Sequence, residues 1–368
     1  MRIPFFDLQR QYQSIKPEVE EAINTVFTHA QFIGGPMVRG FEKSFADQMG
    51  SPHCISTGNG TDALFLILKA LDLPPGSEVI VPAWGCIASA EPVTLAGHQV
   101  VFCDVDPKFY TLDVLAAERK ITKHTKAIIA VHLYGQAAPV TQLKALCERH
   151  NLYLIEDCAQ AHLTAENGGR VGNFGIASAF SFYPTKNLGA YGDAGCVITS
   201  QAHLAERVRR LANHGALQKD DHALAGTNSR MDALQAAFLI VKLRHLNSWT
   251  NRRAEIASQY ARTLSGIDEL TVPAIRPETN HSFHIYAIRT SRRDALRKHL
   301  AENGIETAIH YPYGLPFTPA YQHSKRSETD YPVTTLLQRE TLSLPVFPEL
   351  SSEEVTFICS VIRDFFSR

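Results

Sequence analysis

A chain of 368 residues with 45% hydrophobic side chains can bury a large core, and its length predicts one large domain with a smaller one beside it. Lys and Arg number 36 against 37 Asp and Glu, so no overall field favours nucleic acid or an acidic partner. No run approaches the ~18 uncharged apolar residues of a membrane-spanning helix, and Met1-Arg-Ile-Pro-Phe-Phe-Asp-Leu-Gln9 lacks a signal-peptide core, so no membrane is expected and a cytoplasmic location is.

Cys54, Cys86, Cys103, Cys147, Cys158, Cys196 and Cys359 are scattered singly, with no Cys-x-x-Cys pair. The histidines form no His-x-x-x-His pattern near a carboxylate, and no metal is expected. From about residue 52 to 200, short apolar runs alternate with helical segments. The runs are His53-Cys-Ile-Ser56, Glu78-Val-Ile-Val-Pro82, Gln99-Val-Val-Phe-Cys103, Lys126-Ala-Ile-Ile-Ala-Val-His132, Leu152-Tyr-Leu-Ile-Glu156 and Ala177-Ser-Ala-Phe-Ser-Phe182. Strands apolar throughout and separated by helices predict an α/β fold, its mostly parallel sheet covered on both faces. Ligands of such sheets bind at the carboxyl ends of the strands.

Ser56-Thr-Gly58-Asn-Gly60-Thr61-Asp62 follows the first strand and opens an apolar helix. Gly60, Thr61 and Asp62 therefore stand at a helix N-terminus, where free N–H groups and the dipole favour a phosphate. The Thr or the Asp also reads as a plain cap. Neither Gly-x-Gly-x-x-Gly nor Gly-x-x-x-x-Gly-Lys-Ser/Thr is present, so no dinucleotide or triphosphate site is signalled. Trp84 follows the next strand, where a flat ring could lie against an aromatic cofactor or pack in the core.

Asp157 closes the fifth apolar run, and Lys186 lies in Ser181-Phe-Tyr-Pro-Thr-Lys186-Asn-Leu-Gly189. A lysine amine that is neutral part of the time forms an imine with an aldehyde, and a carboxylate at a pyridine nitrogen keeps that ring an electron sink. The pair fits pyridoxal 5'-phosphate (PLP). Taken singly, Asp157 also reads as a turn residue and Lys186 as a solvated loop lysine.

Gly192-Asp-Ala-Gly195 is a tight-turn signal leading into a strand. Asn228-Ser-Arg230-Met-Asp232 precedes a stretch to about Leu264 without Pro or Gly, which predicts one long helix or two abutting ones bridging the domains. Its amide and guanidinium either reach a phosphate or cap the helix. Beyond it, Phe283-His-Ile-Tyr-Ala-Ile288 alternates like a strand, Arg293 to Asn303 reads as a helix ended by Gly304, and Ser351 to Phe366 as a terminal helix. The expected division is a large domain over 1–250, with an N-terminal helical segment, and a small α+β domain over 251–368.

The order of these motifs resembles fold-type I PLP enzymes and, within them, the DegT/StrS-type nucleotide-sugar aminotransferases. The resemblance runs from Phe5-Phe-Asp-Leu-Gln-Arg-Gln-Tyr12 and Phe32-Ile-Gly-Gly-Pro36, through Gly58 to Leu64, Glu156 to His162, Ser181 to Gly189 and Asn228 to Ala237, to His310-Tyr-Pro312. It implies that Lys186 binds the cofactor's aldehyde carbon and shuttles a proton. Asp157 then partners the ring nitrogen and Gln160 the phenolic oxygen, while Gly60, Thr61, Asp62 and Ser181 hold the phosphate. Asn228 reaches the phosphate of a neighbouring subunit, which implies a homodimer with shared active sites. Tyr183, His310 and Tyr311 fall where family members meet the sugar or assist proton movement. Family members commonly carry an aromatic near the place of Cys86, so the stacking ring is Trp84 or absent. A lysine at 186, where related dehydratases have histidine, implies transamination.

The motif wording is most similar to the branch acting at C3 of dTDP-3-keto-6-deoxyhexoses, with L-glutamate as donor and 2-oxoglutarate as product. A UDP-linked 3-keto N-acetylated uronic acid sugar is the second substrate expectation and C4 amination the third. A non-catalytic PLP-fold regulator and a nicotinamide-dependent enzyme are the rivals from other classes. The intact Lys186 and Asp157 argue against the first, and the missing glycine fingerprint against the second.

Overall fold

The computed structural model describes residues 2–322 and 327–367. Two N-terminal helices, α1 (Leu8–His29) and α2 (Gly35–Met49), precede an alternating succession of strands and helices. This runs β1 (His53–Thr57), α3 (Gly60–Leu71), β2 (Glu78–Pro82), α4 (Glu91–Leu95), β3 (Gln99–Cys103), α5 (Val114–Lys120), β4 (Thr125–Val131), α6 (Val140–His150) and β5 (Tyr153–Asp157). A small hairpin, β6 (Ala165–Glu166) and β7 (Gly169–Arg170), leads to β8 (Ala177–Ser181), β9 (Gly195–Thr199) and α7 (Ala202–Ala212).

The large sheet has the order β1-β9-β8-β5-β4-β2-β3. β2 pairs parallel with β3 and β4, and β4–β5 and β5–β8 are also parallel. β9 runs against both of its neighbours, β8 and β1. The reason lies in the connection: residues 182–194 contain no crossover helix, and a parallel return would need one. That loop carries Lys186. Central strands β4, β5 and β8 are buried almost throughout, which is why their sequences are apolar without alternation.

The long helix α8 (Ala233–Leu264) is continuous over 32 residues. Its first half packs with α1 and α2, whereas Ile256, Ala257, Tyr260 and Leu264 belong to a second core. That core is completed by the two-stranded sheet of β11 (Tyr286–Arg289) and β12 (Thr341–Leu344), by α9 (Arg293–Glu302) and by α11 (Ser352–Phe366); β10 (Thr279–Asn280) instead joins the β6–β7 hairpin, and α10 (Pro332–Glu340) contributes to the first core. α11 opens on a capping box, Ser351 with Glu354. The expected boundary at 250 falls inside α8. Chain and core part company at two further places: Ile3 is buried in the second core beside Ile305, and Leu315, Tyr331 and Leu337 are buried in the first. No helix of the described residues is long and apolar enough to cross a membrane.

Candidate active site

Asp157, the last residue of β5, is paired with Val131 on one side and Ala179 on the other, at the carboxyl end of the middle of the sheet. It is 5% exposed, and both oxygens are engaged. Ser89 Oγ donates to Oδ2 at 2.6 Å and the Ala159 N–H to Oδ1 at 3.0 Å. A carboxylate held this way keeps one fixed orientation toward a cavity of roughly 470 Å³.

The cavity brings together Gly60, Thr61, Asp62, Asp157, Gln160, Ser181, Tyr183 and Lys186. Lys186 sits in the β8–β9 loop, and its backbone N–H donates to the Tyr183 carbonyl at 2.8 Å. The loop is clamped from below: Lys242 Nζ donates to the Gly189 carbonyl at 2.7 Å, and Asn187 Nδ2 to the Ser282 carbonyl at 2.8 Å. A Cβ on Gly189 would come within 2.2 Å of the Pro184 carbonyl oxygen, so the turn closes only around glycine. Lys186 is half-buried, with protein packed around it where it enters the cavity. That burial lowers its pKa below the usual lysine range, and Cys86 and Asp157 only partly oppose the shift.

At the other end of the cavity, α3 meets β8. A Cβ on Gly60 would stand 2.7 Å from Ser181 Cβ, so the helix N-terminus reaches the strand end only because residue 60 has no side chain. Asn59 caps this helix, its Oδ1 accepting from the Asp62 N–H at 2.8 Å. The Gly60 and Thr61 amides belong to the first turn and have no intrahelical acceptor. Asp62 differs from its two neighbours. Its amide serves the cap, and its carboxylate accepts from Ser229 Oγ at 2.6 Å, so it ties the 228–230 segment to the cradle.

Four of the residues expected at the site stand outside the cavity lining. Trp84 is fully buried, its Nε1 donating to the Tyr134 hydroxyl at 3.0 Å, and Cys86 and Ala88 form the wall in its place. Its ring meets Tyr311 edge-on, with centroids 6.3 Å apart, so it stands behind the wall and no free face remains for stacking. Tyr311 accepts from Gln160 Nε2 at 2.9 Å. His310 pairs through Nδ1 with Ser343 Oγ at 2.9 Å, and burial together with the charge of Lys186 lowers its pKa to about 4. Asn228 is exposed, its Oδ1 accepting from Arg230 Nε at 2.8 Å. Ser89, Tyr134 and Asp193 were not anticipated. Ser89 and Asp193 line the cavity, and Tyr134 holds Gln160.

His132, Glu156 and Cys158 bring potential metal-binding atoms within 4.8 Å of one another. The carboxylate and imidazole lone pairs are used internally: Glu156 accepts from His132 Nε2 and from the Gly172, Phe174 and Gly175 amides, and His132 Nδ1 accepts from the Ala138 N–H. Burial alone would raise the Glu156 pKa, but these donors hold it below the usual range. The group is a buried anchor for the loop before β8.

The cavity therefore presents amide donors and a hydroxyl at one end, a fixed carboxylate on a strand end, a half-buried lysine and an amide side chain. A phosphate, a pyridine nitrogen, an aldehyde carbon and a phenolic oxygen fit these four in turn, as PLP would require. The model of the DegT/DnrJ/EryC1/StrS aminotransferase family matches residues 13–363. The chain is similar to the dTDP-3-amino-3,4,6-trideoxy-alpha-D-glucose transaminase of Streptomyces venezuelae, 40% identical over 367 residues, 100% of this chain and 97% of that protein. It is also 41% identical to the UDP-N-acetyl-3-dehydro-alpha-D-glucosamine 3-aminotransferase of Acidithiobacillus ferrooxidans, over 98% of this chain and 97% of that one. The crystal structure of S. venezuelae DesV in complex with a ketimine intermediate superposes with a TM-score of 0.98 at 40% identity, covering 100% of this chain and 99% of that one.

Proposed function

The chain belongs to the DegT/DnrJ/EryC1/StrS aminotransferase family, whose members depend on PLP, and we propose that it moves an amino group from L-glutamate to C3 of a dTDP-linked 3-keto-6-deoxyhexose. The observation that carries this reading is the half-buried Lys186 in the same cavity as the buried carboxylate of Asp157. When bound, PLP supplies the electron sink for the carbanion formed at the reacting carbon.

The chain's own residues do the rest. Lys186, its charged form disfavoured by burial, holds the cofactor and then serves as base at the Cα of the donor amino acid. In the second half it returns a proton at the sugar carbon that receives nitrogen. Asp157, kept in place by Ser89 and Ala159, holds the ring nitrogen protonated. The Gly60 and Thr61 amides and Ser181 hold the phosphate. Gln160 donates to the ring oxygen. Tyr183, which lines the cavity and is 54% exposed, meets the sugar in this reading.

Asn228 lies outside the cavity of its own chain, which supports a homodimer in which it serves the partner's site. Phe27, Phe32 and Ile33 are 60%, 42% and 49% exposed and give a second chain an apolar surface to cover. The seven unpaired cysteines suit a reducing cytoplasm. A UDP-linked 3-keto sugar is the second reading, favoured by the Acidithiobacillus relative. Turnover of matched dTDP- and UDP-linked 3-keto sugars, with glutamate as donor, separates the two. The proposal expects the higher kcat/KM on the dTDP sugar, and a preference for the UDP sugar would replace it.

A further inference from the structure

Gln160 lines the cavity beside Lys186 and Asp157, and its side-chain amide has two neighbours of different kinds. The Tyr134 backbone N–H, which only donates, is 2.7 Å from Oε1, and the Tyr311 hydroxyl is 2.9 Å from Nε2. Turning the amide end for end would set NH2 against N–H, so the chemistry of Tyr134 settles the orientation. Nε2 carries two hydrogens and Tyr311 takes one. The other is what Gln160 offers to the cavity.

Both neighbours are themselves held. Tyr134 has a left-handed backbone at φ +60°, uncommon for a residue with a side chain, and this conformation aims its N–H at Gln160. Its hydroxyl accepts from Trp84 Nε1 and donates to the His310 carbonyl. Tyr311 follows His310 directly, so the same tether places it, and the buried Trp84 ring backs it edge-on. Burial pushes the Tyr311 hydroxyl well above the phenol range, so it stays neutral and its oxygen remains an acceptor.

We propose that Tyr134 and Tyr311 are positioning residues that fix the Gln160 amide so that one N–H, and not its carbonyl, faces the cavity beside Lys186. The inference rests on the PLP reading of that cavity. The phenolic oxygen of PLP is ortho to the aldehyde carbon and carries negative charge, which an N–H favours and a carbonyl repels. Donation to that oxygen stabilises its anion and loosens its hold on the proton it shares with the lysine nitrogen. The lysine-bound cofactor then loses that proton at lower pH.

The test is a pH titration of the visible band of lysine-bound PLP in the wild-type holoenzyme, Gln160→Ala, Tyr311→Phe and the double variant. Tyr311→Phe should raise the midpoint by about half a unit to one unit, in the same direction as Gln160→Ala. The double variant should move no further than Gln160→Ala alone, because the tyrosine acts only through the glutamine. A Tyr311→Phe midpoint equal to the wild type's, or shifts that add in the double variant, would overturn the proposal. Tyr134→Phe keeps the ring but loses the tether to His310, and it should move the midpoint the same way. If Tyr311→Phe does not fold, an unmoved midpoint in Tyr134→Phe overturns the proposal instead. A wild type that forms no visible band would remove the cofactor reading itself, a separate result from a band that the tyrosines do not move.

Discussion

At the residue scale the account turns on Lys186 and Gly60. Lys186→Ala should abolish the visible band with PLP and lower transamination by at least the ~10²–10⁴-fold that acid–base catalysis supplies; a retained band would remove the residue from its role. Gly60→Ala places a Cβ where Ser181 stands 2.7 Å away. The cradle must open, and we expect PLP affinity to fall by about tenfold or more, with a lower melting temperature from the overpacking. Equal affinity would mean the phosphate lies elsewhere. Asp157 and the Gly60–Thr61 turn could be singled out from their places at element ends and Lys186 from its chemistry beside Asp157, whereas Gln160 entered only through the family resemblance; the structure brings all of them to one cavity. The place of Trp84 was not legible, since a tryptophan beyond a strand reads alike whether it faces a cavity or the core behind it. Ser89 escaped for a related reason. It reaches Asp157 from a short 3-10 turn over Ile87–Ser89, and no hydrophobic period marks so short a piece.

At the element scale, α8 and α10 hold the segments that shape the site. Lys242, in the first half of α8, is fully buried beneath the Lys186 loop, with its amine 3.7 Å from the centre of the Tyr191 ring. Burial lowers its pKa to about 7, well under the unfolded value. Between about pH 7 and the ordinary lysine pKa of ~10.4, the unfolded chain therefore holds a proton that the folded one does not, and stability from this group rises with pH. Below pH 7 that contribution is at its least. The stability of wild type minus that of Lys242→Met should accordingly increase from pH 7 to pH 10, and a constant difference would contradict the assignment. α10 begins without a cap of its own, and Asp104 at the end of β3 supplies one from across the fold. Its carboxylate accepts from the Val333 and Thr334 amides at 2.9 and 3.0 Å and from Thr334 Oγ1 at 2.7 Å. Asp104→Ala should cost about 0.5–2 kcal/mol in chemical denaturation, and an unchanged midpoint would deny the cap. The central strands were legible from their apolar runs and α8, α9 and α11 from their helical patterns, whereas α7, α10 and β12 were not picked out. The Asp104 cap was not legible either, because its two halves lie far apart in the chain. The reversed direction of β9 was only half legible: Gly192 and Gly195 marked the turn, but nothing in the strand itself records which way it runs.

At the scale of the whole molecule, two cores share the long helix α8, and the chain crosses between them near both ends. Ile3 closes the second core, and Leu315 and Tyr331 close the first, so a division by residue number describes neither. A shared dimer site makes a prediction that a monomer site cannot. Lys186→Ala chains mixed with Asn228→Ala chains should regain activity, because one site of each mixed dimer then has both residues intact; mixtures no better than their components would overturn the sharing. The central claim is that this cavity runs a transamination on PLP, and the absorbance spectrum of the PLP-loaded protein before and after L-glutamate tests it most directly. The account predicts that glutamate replaces the visible band with the shorter-wavelength band of the aminated cofactor while 2-oxoglutarate appears in equal amount, whereas a band that glutamate leaves untouched would contradict it.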